Sequence, residues 1–125
     1  MAQIRTFTEI ADPTADGVIG LLQTQPAGQM RTDGVLSLAN IDSIAVQLVG
    51  TFTLTVNFEA SNDGTNYVGL RGEASANATA LTTLTAAGLV RFKREDLSAF
   101  KFFRARVSGF SAVTSFALTL TTRKE

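Results

Sequence analysis

The chain of 125 residues contains no histidine, no cysteine and no tryptophan, with one tyrosine and two prolines. Without histidine it lacks the usual general base, the base of Ser-His-Asp and Cys-His nucleophile systems, and the commonest metal ligand. Without cysteine there is no disulfide and no thiolate, so the fold does not depend on an oxidising compartment. With both residue types missing, the customary ligands of zinc and iron–sulfur centres are gone as well. Paired carboxylates can still hydrolyse glycosides. The candidates Glu59, Asp63 and Glu73, however, flank one apparent hairpin, and Glu95 and Asp96 are neighbours that a strand would aim in opposite directions. No catalytic residue, cofactor or metal is expected, and the chain is read as a non-enzyme.

Charge is scarce too. Asp, Glu, Lys and Arg make up 18% of the residues, against about 25% in an average soluble domain. Seventeen threonines and many alanines and glycines fill the deficit. The net charge is zero, which argues against electrostatic capture of nucleic acid or an anionic membrane as the main role. The distribution is uneven. Residues 1–66 carry seven acids and two bases, a balance of −5, and residues 67–125 carry four acids and nine bases, a balance of +5. Either folding intermixes these charges or the subunit presents two complementary faces. The first ten residues show no basic end followed by an apolar stretch, so no signal peptide is expected. The uncharged runs are Thr-rich and broken by glycine, unlike a membrane span.

What the sequence does have is two-residue periodicity. Phe52, Leu54, Val56 and Phe58 alternate with Thr53, Thr55, Asn57 and Glu59, the pattern of a half-buried antiparallel strand with β-branched Thr toward water. Phe103, Ala105 and Val107 alternate with Phe102, Arg104 and Arg106, and Phe116, Leu118 and Leu120 with Ala117, Thr119 and Thr121. Weaker strand candidates are residues 4–10, 18–23, 34–39, 44–49, 67–71, 79–85 and 89–93. Turn signals at 15–17, 25–28, 32–34, 61–66 and 86–88 separate them. Helical periodicity is brief, with one turn at most over 94–100. The expectation is one all-β domain over 1–125: an antiparallel β-sandwich of about eight strands, jelly-roll-like, with Phe between the sheets. Residues 1–33 hold both prolines and little pattern, and read either as the first strands or as an arm onto a neighbour.

Two local clusters need weighing. Ser61-Asn62-Asp63-Gly64-Thr65-Asn66 crowds oxygen ligands together but lacks the alternation and the distal Glu of a calcium loop. Asp63-Gly64 between alternating strands is a hairpin signal, with Gly64 free to take positive φ and Tyr67 covering the turn with its hydroxyl in water. The second cluster is Arg91, Lys93, Arg94, Lys101, Arg104 and Arg106, beside Phe92, Phe100, Phe102 and Phe103. Cations interleaved with aromatics suit single-stranded nucleic acid, but the alternation sends several of those Phe into the core, and Glu95-Asp96 interrupt the run. Arg91, Lys93, Arg94, Arg104 and Arg106 are instead read as a partner-binding surface, with Arg104 and Arg106 the residues expected to meet an acidic partner. Carbohydrate binding would ordinarily use exposed Trp or Tyr, of which Tyr67 alone is present.

Residues 44–58, 74–90 and 107–122 carry no formal charge. Solitary β-proteins guard edges and outer faces with Lys, Glu or Pro, so long uncharged strands point to faces covered by another chain. The stretch Val56-Asn-Phe-Glu-Ala-Ser-Asn-Asp-Gly-Thr-Asn-Tyr67 resembles a motif of small bacteriophage virion proteins, in which a strand ending Phe-Glu-x-Ser meets Asx-Asp-Gly and then an aromatic. Gly88-Leu-Val-Arg-Phe92, Phe102-Phe-Arg-Ala-Arg-Val-Ser108 and a Thr-rich last strand fit the same pattern, over about residues 44–122. The customary Trp after the turn is Tyr67. The resemblance implies a virion structural subunit, made in the host bacterial cytoplasm, of capsid-decoration, head-fibre or tail-accessory type. The leading expectation is a capsid decoration protein. Its expected partners are itself, as a homotrimer at capsid three-fold sites, and the major capsid protein or another virion protein, with neither membrane nor nucleic acid. A carbohydrate- or host-surface-binding module and a single-stranded nucleic-acid binder are the alternatives.

Overall fold

The computed structural model describes residues 3–26, 31–74 and 80–124. Their elements, in chain order, are β1 (Gln3–Glu9), β2 (Gly17–Val18), β3 (Leu21–Gln25), β4 (Arg31–Thr32), β5 (Leu36–Ser37), β6 (Ser43–Ser61), β7 (Val68–Gly69), β8 (Gly72–Ala74), β9 (Ala80–Leu81), β10 (Thr83–Leu84), β11 (Gly88–Phe92), α1 (Arg94–Leu97) and β12 (Phe102–Lys124). All pairings are antiparallel within one open sheet, and the protein is all-β. Among the described residues there are twelve strands where about eight were expected. Six are two-residue bridges, too short to carry any periodicity. The turn expected at 25–28 and the strand expected at 79–85 fall partly outside the described residues.

Two strands organise the rest. β6 and β12 run side by side from Ser61–Phe102 to Ser43–Arg123. Phe92 is registered with Ile44, at one end of β6, while Phe58 lies fourteen residues further on. A straight strand would separate those positions by about 46 Å, yet the Phe92 and Phe58 ring centroids are 5.4 Å apart. The long pair therefore doubles over, and the sheet packs against itself in two layers. The first layer holds β4-β3-β1, the second half of β12, the first half of β6, then β11-β8-β9. The second holds the first half of β12 and the second half of β6, flanked by β2 and β5 on one side and β7 and β10 on the other.

The corner has a chemical cause. Gly50, at φ +134°, lies so close to β12 that a Cβ there would sit 2.3 Å from the Ser115 carbonyl oxygen. Gly109, at φ +60°, bends β12 opposite. Around the corner seven steps of β12 (Ser108 to Ser115) run beside four steps of β6 (Thr55 to Thr51), an excess of three residues taken up in bulges. An odd excess reverses which side chains face inward. β12 accordingly buries Phe103, Ala105 and Val107 before the corner and Phe116, Leu118 and Leu120 after it, so both layers keep an apolar inner face. Backbone groups freed by the bulges find side chains: Thr51 N donates to Ser115 Oγ at 3.0 Å, and Phe110 N to Asp16 Oδ1 at 2.8 Å.

The core between the layers is aliphatic plus Phe. Phe58, Phe92 and Phe103 meet at its centre. Residues 3–9 and 21–25 belong to the first layer rather than to a detached arm: β1 lies between β3 and β12, and Phe7, Ile19 and Leu21 are buried.

Candidate partner-binding surfaces

In the first half of β12 the core takes the odd residues, so Arg104 and Arg106 stand on the outer face of the second layer. The register sets Arg104 opposite Glu59 of β6. Glu59 Oε1 accepts from Arg104 Nε at 2.8 Å, and both its oxygens accept from Arg106 Nε at 3.2 Å. Burial pushes the Glu59 carboxyl up, but hydrogen bonds and charge from Arg106 and Arg104 outweigh it and hold the group below its ordinary value. The Arg104 guanidinium lies 3.7 Å from the Tyr67 ring centroid, a cation–π contact. The Tyr67 hydroxyl is not in water as expected. It is buried without a hydrogen-bond partner among the described residues.

The turn itself is closed by its own side chains. Asp63 Oδ1 accepts from Thr65 N and Asn66 N, both at 2.8 Å, and from Ser61 Oγ at 2.9 Å, while Oδ2 accepts from Asn66 Nδ2 at 2.8 Å. The backbone amides of Asn66 and Thr65 lead in holding the Asp63 carboxyl well below the usual carboxylate range. Gly64 takes φ +76°. Both Asp63 carboxylate oxygens and the Ser61 hydroxyl are thus spent on the turn.

Arg91 and Lys93 alternate with buried Val90 and Phe92, so they project from the outer face of the first layer. Lys93 pairs with Glu73 at 3.0 Å and Arg94 with Asp42 at 2.8 Å. Because α1 and the turn after it carry the chain across to the second layer, the basic cluster is divided. Arg91 and Lys93 face one way, Arg104 and Arg106 the other. Four of the five residues expected to bind a partner, Arg104 and Arg106 among them, already have an acid within the chain, and Arg91 alone of the five has none among the described residues. Phe92 and Phe103, which an oligonucleotide would need as stacking platforms, are fully buried.

Around Arg91 the first layer offers a depression of about 430 Å³ whose rim includes Ile4, Ala45, Lys93, Thr121 and Arg123. Ile4 and Arg123, which the sequence reading passed over, are registered with each other across β1 and β12. From the depression the outer face runs on without charge across β11, β6, β12, β1 and β3, as far as Arg31 of β4, which is registered with Leu22. One cross-strand row is Leu22, Thr8, Thr119, Gln47 and Leu89, and Val49 and Ala117 sit beyond it. Ile4 (56% exposed), Val49 (46%) and Leu89 (41%) are the apolar points of this otherwise Thr- and Ala-rich face.

The same architecture is known elsewhere. SPBc2 prophage-derived protein YomS superposes with a TM-score of 0.72 over 99% of this chain and 96% of its own, at 10% sequence identity. The PBSX exported protein XepA gives 0.69 over 98% of this chain at 14% identity, and the match spans 38% of XepA. This is a fold of phage-derived proteins. No protein-family model matches the sequence, and neither does any curated protein.

Proposed function

We propose that the protein is a non-enzymatic structural subunit of a bacteriophage particle, decorating the capsid as a homotrimer seated on the major capsid protein. The observation that carries this reading is the outer face of the first layer, a broad strand surface almost free of charge, on a fold found in phage-derived proteins. A surface of Thr, Ala and exposed Val and Leu loses little on desolvation and gains apolar burial when covered. The Arg91 depression at its edge supplies a cation for an acidic neighbour. A decorating subunit acts by mass action, binding the assembled shell more tightly than its parts. About 1–3 kcal/mol of preference per copy suffices, because a shell repeats the site many times.

The test is binding of purified protein to preformed expanded heads, with the disruption temperature of the heads as readout. The wild type is expected to bind and raise it. Gln47→Lys with Ala117→Lys, both exposed on the uncharged face, should keep the fold and lose the binding. Absence of the protein from purified particles by mass spectrometry overturns the virion reading, and copurification with tails alone overturns decoration. XepA's description as an exported protein favours a second reading, a phage-encoded protein released by the host cell. Recovery from the culture medium and not from particles would select it.

A further inference from the structure

The end of the β1–β12 ribbon separates two concavities. Ile4 and Arg123 border the Arg91 depression on the outer side, and alternation turns Arg5 and Lys124 to the inner side. Gln3 is registered with Lys124 and Arg5 with Thr122. The two cations are therefore diagonal neighbours on one face of adjacent strands, about 7–8 Å apart at the backbone. Like charges so placed repel each other, and neither has an ion-pair partner among the described residues. They border a cleft of about 120 Å³ with Gln3, Asn40, Ile41 and Thr122. It shares Arg5, Ala39, Ile41 and Thr122 with a neighbouring trough of about 350 Å³ that Phe7, Val35 and Leu36 also line. No Asp or Glu is among the described residues lining either part.

We propose that this cleft docks an acidic peptide segment of another protein, an Asp or Glu carboxylate between Arg5 and Lys124 with the adjoining apolar side chain in the trough. Arginine offers a carboxylate a paired fork of donors and lysine adds a point charge. Binding relieves the repulsion between the two cations and covers Val35, the exposed apolar side chain of the trough. A bare phosphate would leave the trough unused. A nucleic acid would need an exposed aromatic platform, and the one ring here, Phe7, is 2% exposed. The cleft lies on the opposite side of the ribbon from the Arg91 depression, and the inference holds whether or not the chain belongs to a virion.

The experiment is a titration followed by backbone amide NMR, with the blocked peptide acetyl-Gly-Asp-Leu-Gly-amide, its Asn counterpart and inorganic phosphate as probes. The Asp peptide is expected to shift the amides of Arg5, Ile41 and Lys124 and to bind about tenfold more tightly than the Asn peptide, the loss of one charge-assisted pair. Arg5→Gln with Lys124→Gln should abolish the shifts while leaving the melting temperature nearly unchanged. If that pair fails to fold, Lys124→Gln alone, at the strand end, should weaken binding. Equal affinity for the Asp and Asn peptides overturns the proposal. So does phosphate moving these amides while the Asp peptide does not, or a fall in the protein's own light-scattering mass in the double variant, which would make the occupant a second copy.

Discussion

Phe58→Ala is the sharpest test of the doubled-over sheet, because Phe58 touches both layers at once. Its ring is fully buried, 5.4 Å from Phe92 of the first layer and 6.4 Å from Phe103 of the second. Truncation of a buried Phe costs about 3–5 kcal/mol through lost burial and the cavity left behind. With an unfolding entropy of about 2.1 cal/mol/K per residue, a chain of this length loses about 4 °C of Tm per kcal/mol, so a fall of about 12–20 °C is expected. Thermal unfolding by circular dichroism reads it. Phe58→Leu isolates the aromatic contribution: two ring pairs at about 0.5–1.5 kcal/mol each predict a loss of about 1–3 kcal/mol. Val68→Ala, at a site 56% exposed, serves as control and should stay within about 0.5 kcal/mol. If Phe58→Ala melts within about 4 °C of wild type, less than about 1 kcal/mol has been lost. The ring would then not lie between the layers, and the doubling over of β6 and β12 would be wrong.

Gly50→Ala forces a side chain into the Ser115 carbonyl at positive φ and should cost more than the roughly 1–3 kcal/mol of backbone strain alone, whereas Gly109→Ala meets nothing within 4 Å and should cost only about 1–2 kcal/mol; equal melting temperatures would refute the tight corner. Glu59→Gln leaves Arg104 and Arg106 without their carboxylate and should cost about 1–2 kcal/mol in urea unfolding at neutral pH, between the values for exposed pairs and for a broken buried pair. Because the folded pKa of Glu59 is lowered, its contribution is present above the unfolded carboxylate range and lost as pH falls through the folded value, so the variant and wild type should converge in acid. Glu9 has the opposite sign: burial raises its pKa even though Oε2 accepts Leu118 N at 2.7 Å, so its stabilising form is the protonated one, lost as pH rises through the folded value. Glu9→Gln keeps an acceptor without the charge, and a melting temperature at neutral pH below that of wild type would contradict this.

The inner faces were legible because alternation is local. Leu54, Val56 and Phe58, then Phe103, Ala105 and Val107, then Phe116, Leu118 and Leu120 are all buried, as period two requires. What alternation cannot convey is continuity. Gly50 and Gly109 look like breaks between strands, but each bends a strand without ending it, so four sequence segments become two long strands. The basic cluster illustrates the same limit. Its residues are neighbours along the chain, and only the crossing at α1 decides that they face apart. Adjacency in sequence places Tyr67 at the turn, but not under Arg104, which arrives from a strand 37 positions later. The Arg5–Lys124 cleft needed the register of the first strand against the last, which no local pattern holds.

The same register explains the fate of the −5/+5 division of charge. β6 belongs to the acidic half of the sequence and β12 to the basic half, and they are paired along almost their whole length. Acids of one half are thereby delivered to bases of the other: Glu59 to Arg104 and Arg106, and Asp42, just before β6, to Arg94. A ring of subunits held basic half to acidic half would have to compete with these pairs, which form inside each chain at no cost in association entropy. Part of the charge is thus consumed in closing the fold, and the outer face of the first layer is left with few charges for a neighbour to cover. Copies that associate through that face bury apolar and threonine surface, so raising the salt concentration should not loosen them. Among the cations without an ion-pair partner in the described residues, Arg91 on one side of the ribbon and Arg5 and Lys124 on the other border the two concavities at its end. There they can choose an acidic partner without being needed to hold the fold together.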